Sequence, residues 1–134
     1  MPTVKALDHI NIQTPLLAET VRFFADVLDL VPGASPGGTS MDKVTWMFDS
    51  TGRPLVHITT PGMTLADEGS NHARQDTGAL HHVAFECEGH AAMLARLAQQ
   101  GHAHRCRNID SIGLRQIFVQ DPNGVLLELN FRDG

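Results

Sequence analysis

The feature of this sequence that most constrains its fold is an internal duplication. The segment Leu7–Ile12 matches Leu80–Phe85, and Leu55–Thr59 matches Leu126–Asn130. Self-similarity at a constant spacing indicates two copies of one supersecondary unit. The whole chain has 134 residues, which is the length of a single domain. The duplication therefore predicts two modules with the same order of elements inside one domain.

An amphipathic helical pattern follows the first duplicated strand of each module. Apolar residues at positions i, i+4, i+7 and i+11 predict a helix over about 16–30, and a shorter pattern predicts a second helix over about 90–100. Pro32 and Gly101 come directly after these segments and are typical of residues that end a helix. Each module is therefore expected to place one helix between its strands.

Strand-like runs separated by turns follow each predicted helix. In the first module they cover about 44–48 and 54–60, and in the second about 115–119 and 125–131. The turn Asp121–Gly124 reads Asp-Pro-Asn-Gly between two apolar runs, which is a strong signal for a β-hairpin. We expect antiparallel pairing within the second half of each module.

Two polar stretches are predicted to be loops. One is Pro32–Ser40, which is rich in Gly, Pro and Ser, and the other is the linker over 61–78. The predicted fold class is α+β, with two βαβββ modules at about 4–60 and 79–131 in a single domain over 1–134.

Four side chains with metal-binding chemistry occupy equivalent positions in the two modules. His9 corresponds to His82, and His57 corresponds to Glu128. If a pseudo-two-fold axis relates the modules, the two equivalent pairs converge near that axis. Because successive residues of a strand alternate between its faces, all four lie opposite the large apolar side chains. The sequence predicts that they line one cup.

Three imidazoles and one carboxylate form a donor set for a divalent transition metal. A carboxylate in such a site needs a compensating positive charge, since otherwise it would take up a proton. Imidazole and carboxylate together suit Fe²⁺, Mn²⁺, Ni²⁺, Co²⁺ or Zn²⁺, whereas Ca²⁺ and Mg²⁺ prefer oxygen ligands alone. We predict one such ion per chain, with two coordination positions left for a chelating substrate.

Several other residues are candidates for contact with a substrate or for the wall of its pocket. Among the other histidines, His72 in the linker is the one best placed to touch a substrate. Trp46 and Phe118 are candidates for the pocket wall, although core packing is the commoner role for such residues. Three arginines are interpreted as solvent-exposed, with the alternative that one of them holds an anionic substrate group: Arg105, Arg107 and Arg115.

Charge and hydropathy exclude other classes of function. The formal net charge is −5, and no cluster of Lys and Arg has the density of a nucleic-acid interface. No apolar run approaches the roughly 18–20 residues that span a bilayer, and no leader pattern precedes the first strand. Cys87 and Cys106 lack metal-site or redox spacing. We expect a cytoplasmic protein that binds a small-molecule substrate, without nucleic-acid or membrane partners.

The chain resembles the vicinal oxygen chelate superfamily in four motifs, which are Leu7–Ile10, Phe23–Leu30, His81–Phe85 and Asp121–Leu129. That superfamily includes glyoxalase I, extradiol dioxygenases and bleomycin-resistance proteins, and the resemblance extends over about 4–131. It implies paired βαββ-type modules that curl into a half-open mixed β-barrel around a metal ion, with the helices outside, and it implies a homodimer. The ligand positions of the family match the four residues His9, His57, His82 and Glu128.

The resemblance also implies Lewis-acid chemistry on neighbouring substrate oxygens. The leading hypothesis is a glyoxalase-like lyase or isomerase with Glu128 as the base and His57 as a second candidate. In glyoxalase I a glutamate stands at the position of His57, which argues against the glutathione-hemithioacetal reaction.

Two alternatives remain open at this stage. One is an Fe²⁺ extradiol dioxygenase that uses His9, His82 and Glu128. The chain contains no tyrosine, which those enzymes usually carry in the active site. The other is a non-catalytic binding protein of the bleomycin-resistance type, which generally lacks the ligands that are present here.

Overall fold

The computed structural model describes residues 1–62 and 76–132. The chain divides into two compact units, unit 1 over Met1–Ala73 and unit 2 over Arg74–Gly134. In its described part, each unit contains one α-helix and one four-stranded mixed sheet. The predicted α+β class and the two βαβββ modules are confirmed.

The sheet of unit 1 has the strand order β1-β4-β3-β2. β1 and β4 are parallel, whereas β4 pairs with β3 and β3 with β2 in antiparallel fashion. A parallel pair cannot be closed by a tight turn, and α1 lies in the connection between β1 and β4. The elements are β1 (Ile10–Gln13), α1 (Leu17–Leu28), β2 (Val31–Ala34), β3 (Val44–Phe48) and β4 (Pro54–Thr59).

The helix of unit 1 packs on one face of its sheet. α1 buries Phe24 and Val27 completely, and the strands beneath it bury Met47, Val56 and Ile58 completely. Each such side chain contributes about 1.5–3 kcal/mol of hydrophobic stabilisation. This face of the sheet is therefore the core of unit 1, and its opposite face is left for other side chains.

Unit 2 repeats this plan with the strand order β5-β8-β7-β6. β5 and β8 are parallel, and the pairs β8–β7 and β7–β6 are antiparallel. Met93 and Leu97 of the helix are buried, as are Ile117, Leu127 and Leu129 of the sheet. The elements are β5 (Val83–Cys87), α2 (His90–Gln99), β6 (His104–Ile109), β7 (Leu114–Gln120) and β8 (Leu126–Phe131), with a 3-10 turn at Asp110–Ile112.

An aspartate at the equivalent position caps the β-turn of each unit. Asp121 Oδ1 accepts hydrogen bonds from the backbone N–H groups of Asn123 and Val125, at 2.8 and 2.9 Å. Asp49 Oδ1 does the same for Thr51 and Arg53, both at 2.9 Å. These bonds hold the pKa of Asp49 below its usual value, the bond from the Arg53 backbone being the largest cause. The duplication therefore extends to the detail of the turns.

One predicted loop is partly wrong. The stretch Pro32–Ser40 was expected to be irregular, but β2 occupies its first residues and extends to Ala34. β2 is an edge strand, where proline is tolerated because one side of the strand needs no N–H donor. Gly33 also fits here because a Cβ atom at that position would lie 2.8 Å from Cε2 of Phe48. The aromatic ring takes the space that a side chain would use.

Neither sheet closes into a barrel on its own, since β1 and β2 form the edges of one and β5 and β6 the edges of the other. Most of the predicted linker over 61–78, and with it His72, lies outside the described residues. In the part of the chain that the structure describes, no helix is long and apolar enough to cross a membrane.

Candidate metal centre

His57 lies on the face of the unit 1 sheet that α1 does not cover. Its register partners are Asn11 on β1 and Trp46 on β3. Side chains of register partners point to the same face, whereas Val56 and Ile58 point into the core. Trp46, a candidate for either the pocket wall or the core, therefore belongs to the His57 face.

The imidazole of His57 is held between two other rings. The His9 ring stacks on it with centroids 3.7 Å apart and planes inclined by 16°. On β3, the Trp46 ring also stacks on it, at 4.0 Å and 7°. His57 is only 8% exposed, and its Nε2 atom is buried without a hydrogen-bond partner among the described residues. A buried polar atom without a partner is costly, and a metal ion would satisfy it.

The surroundings of His57 keep its imidazole neutral. Burial, which removes the hydration of the cationic form, and the neighbouring His9 lower its pKa from 6.5 to about 4. Asp8 and a backbone hydrogen bond at Pro54 act in the opposite direction but do not outweigh them. At neutral pH the ring therefore offers a nitrogen lone pair, as metal coordination requires.

We predict that His57 of the metal-free protein titrates near pH 4, which a heteronuclear NMR titration of the histidine side chains would measure. The unfolded chain takes up this proton near pH 6.5 and the folded chain only near pH 4. Between those values the unfolded state binds more protons, so the free energy of unfolding falls as the pH is lowered through this window. The loss is on the order of 3 kcal/mol. Titration near pH 6.5 would contradict the burial of this ring.

His9 stands one residue before β1, and a neighbouring carboxylate orients it. Asp8 Oδ2 lies 2.6 Å from His9 Nδ1, and this hydrogen bond is the largest cause of the lowered pKa of Asp8. The carboxylate accepts, so Nδ1 carries the proton and the Nε2 lone pair of His9 is available. Carboxylate, backbone carbonyl or water partners of this kind accompany metal-binding histidines almost always.

The equivalent pair in unit 2 is His82 with Glu128. His82 directly precedes β5, and its Nε2 atom lies 3.7 Å from Glu128 Oε1. Its Nδ1 atom lies 2.8 Å from Nδ1 of His81. When His82 donates in that contact, its Nε2 lone pair is available next to the carboxylate. An imidazole nitrogen and a carboxylate oxygen, both able to bind a metal ion, therefore lie close together in unit 2.

A hydrogen-bond chain along the sheet holds the Glu128 carboxylate. Asn130 Nδ2 donates to Glu128 Oε2 at 3.0 Å, and the buried Gln116 donates through Nε2 to Asn130 Oδ1 at 3.1 Å. The hydrogen bond from Asn130 occupies Oε2, whereas Oε1 is the oxygen that faces His82. Neither Gln116 nor Asn130 was expected from the sequence to have a role. The sequence did contain a signal for them. Gln116 lies two residues before Phe118 and Asn130 two residues after Glu128, so each shares a strand face with that neighbour.

The structure brings the four predicted ligands together as two pairs, His9 with His57 in unit 1 and His82 with Glu128 in unit 2. Within residues 1–62 and 76–132, no group of three or more His, Cys, Asp or Glu side chains is arranged to hold a metal ion. Phe118 is the register partner of Glu128 and lies on its face rather than in the core.

Comparison with known proteins identifies the family. Residues 6–129 match the model of the glyoxalase/bleomycin resistance protein/dioxygenase superfamily. The chain belongs to this superfamily, as its motifs implied. No curated protein sequence matches the chain.

Solved structures of similar fold include a glyoxalase-family protein from Bacillus anthracis. It is 14% identical, with 99% of each chain covered and a TM-score of 0.70. The fosfomycin resistance protein FosX from Listeria monocytogenes is 17% identical, with 96% of this chain and 94% of that chain covered and a TM-score of 0.68. A mutant of FosX was solved with Mn(II) and 1S,2S-dihydroxypropylphosphonic acid, at 18% identity, 95% and 90% coverage and a TM-score of 0.65. At these identities the likeness concerns the fold.

Proposed function

We propose that this chain is a divalent-metal-dependent enzyme, a glyoxalase-like lyase or isomerase acting on a small substrate with two neighbouring oxygens. Its four ligands are those of the sequence prediction, His9, His57, His82 and Glu128. The observation that carries the proposal is the buried Nε2 atom of His57, which has no hydrogen-bond partner among the residues that the structure describes and sits on a ring kept neutral by burial.

The type and number of the available donor atoms are those that one transition-metal ion would use. His9 and His82 each engage Nδ1 in a contact with the preceding residue, so each can present Nε2. Glu128 engages Oε2 with Asn130 and presents Oε1. Three imidazole nitrogens and one carboxylate oxygen suit Fe²⁺, Mn²⁺, Ni²⁺, Co²⁺ or Zn²⁺. The FosX complex with Mn(II) shows that a member of this superfamily binds such an ion.

A bound ion would act as a Lewis acid that stabilises negative charge developing on the substrate oxygens. Glu128 is the residue we assign to proton transfer between adjacent substrate carbons, a role that requires its Oε1 atom to leave the ion. The amide of Asn130 fixes one of its oxygens, so the other is held in a defined position, and the carboxyl returns the proton and is unchanged at the end of the cycle. The Nε2 atom of His57 is buried and is the nitrogen assigned to the ion. This supports Glu128 over His57 as the base and leaves His57 as a ligand.

The experiment that tests this proposal is metal analysis of the full chain, purified anaerobically and dialysed, followed by an oxygen-uptake assay with catechols. We expect close to one transition-metal ion per chain and no oxygen uptake. Bound iron with catechol-dependent oxygen consumption would replace the isomerase by a ring-cleaving dioxygenase. A chain that retains no metal would instead be a binding protein of the bleomycin-resistance type.

The homodimer and the cytoplasmic location stay predictions of the sequence.

A further inference from the structure

Two arginines of β6 lie on the same face of the unit 2 sheet as Glu128. Arg105 is the register partner of Phe118, which is in turn the register partner of Glu128. Arg107 is related in the same way to Gln116 and Asn130. Because register partners share a face, both guanidinium groups belong to the face that carries the candidate ligand.

Neither guanidinium group is paired with another side chain in the described part of the chain. Arg105 and Arg107 are exposed, and no described residue forms a hydrogen bond or ion pair with either side chain. The chain as a whole carries a net charge of −5, so two unpaired cations two residues apart are a local exception. Two guanidinium groups on one face of a strand offer several N–H donors, which suit the oxygens of a carboxylate or phosphate group.

The distance to Glu128 fits a small molecule. Adjacent strands are about 4.8 Å apart, so the β6 backbone lies about 10 Å from the β8 backbone across β7. Both arginines line an open groove of about 950 Å³ in unit 2, a volume within the range of small-molecule sites. Glu128 does not line this groove, but its register partner Phe118 does.

We propose that Arg105 and Arg107 bind a terminal oxyanion of the substrate, a carboxylate or a phosphate-type group, while the neighbouring oxygens of the same molecule chelate the metal. This inference rests on the proposed function and narrows its substrate class to anionic molecules. Arg115 takes no part, because its register partner is the buried Phe131 on the opposite face of the sheet.

Matched metal-chelating probes test the inference. Propionohydroxamic acid chelates a metal through two oxygens and has no terminal charge. The succinic, glutaric and adipic monohydroxamic acids add a carboxylate at increasing distance, and 3-phosphonopropanohydroxamic acid adds a phosphonate. Affinities for the Mn²⁺-loaded full chain are measured by calorimetry. We expect at least one anionic probe to bind about tenfold more tightly than the uncharged probe, and the preference to weaken with added salt.

The double variant R105A/R107A is expected to lose this preference while its affinity for propionohydroxamic acid is unchanged. R22A removes one positive charge from an exposed position of α1 and is expected to keep the preference. The carboxylate and phosphonate arms show which oxyanion is favoured. Equal affinity of the wild type for charged and uncharged probes, or a preference that survives in the double variant, overturns the inference and leaves the metal site standing. If no hydroxamate binds, the metal site itself is wrong and the inference fails with it.

Discussion

Replacing Glu128 by glutamine lowers the affinity of the chain for Mn²⁺ or Zn²⁺ by about a hundredfold or more. Changes to residues that merely orient a ligand cost about 10–100-fold, and Glu128 supplies the only negative charge of the predicted set. Glutamine keeps the shape of the side chain and a hydrogen-bond acceptor for Asn130, which donates to Oε2 at 3.0 Å. The variant therefore removes charge with little change in packing. Competition against a chelating dye at constant pH measures the effect.

The matched control for this variant is Glu88→Gln, which makes the same chemical change at an exposed position just after β5. It should bind metal as the wild type does. If Glu128→Gln binds as tightly as this control, the carboxylate is not a ligand. In that case the 3.7 Å contact between His82 and Glu128 is an ordinary surface ion pair, which stabilises a protein by at most about 1 kcal/mol.

The second large effect is expected for His57→Phe, which removes the nitrogen and keeps an aromatic ring between His9 and Trp46. We expect metal affinity to fall by about tenfold or more, because one of four donors is lost. The free energy of unfolding of the metal-free protein should change by at most about 1 kcal/mol, because removal of a buried Nε2 atom that has no partner among the described residues offsets loss of the hydrogen bond at Pro54. Metal titration and urea denaturation of the apoprotein measure the two quantities.

A fall in metal affinity without a matching loss of apoprotein stability would identify His57 as a residue that serves metal binding rather than the fold. His104→Ala serves as the control, because His104 lies on β6 and contacts the His102 carbonyl through Nδ1 at 2.9 Å. Unchanged metal affinity in His57→Phe would reduce the ligand set to His9, His82 and Glu128. That result would also favour the dioxygenase alternative, which uses these three ligands.

The elements of the fold were predictable where periodicity was strong. The first helix was expected over 16–30 and spans Leu17–Leu28, and the strand expected over 44–48 is β3. The strand β2 was not predictable, because its sequence contains Pro32 and Gly33, which usually mark a loop. An edge strand needs hydrogen bonds on one side only, so local composition does not reveal it.

The candidate ligands were chosen from the duplication and from strand alternation, which need no coordinates. Those rules place a residue at an equivalent position in each module and on one face of its strand. They do not set the protonation state of a side chain or the contacts of its ring. His57 shows the difference, since its low pKa depends on burial between two rings that come from other segments of the chain.

By itself, the sequence determined that this chain has two βαβββ modules and that His9, His57, His82 and Glu128 occupy equivalent positions in them, because hydrophobic periodicity and repetition are local properties. The tertiary structure alone decided that His57 lies neutral between His9 and Trp46. It also decided that Gln116 and Asn130 hold Glu128 and that Arg105 and Arg107 lie on the Glu128 face. Each of these depends on which strands pair and in which register, and register joins residues that are distant in the chain.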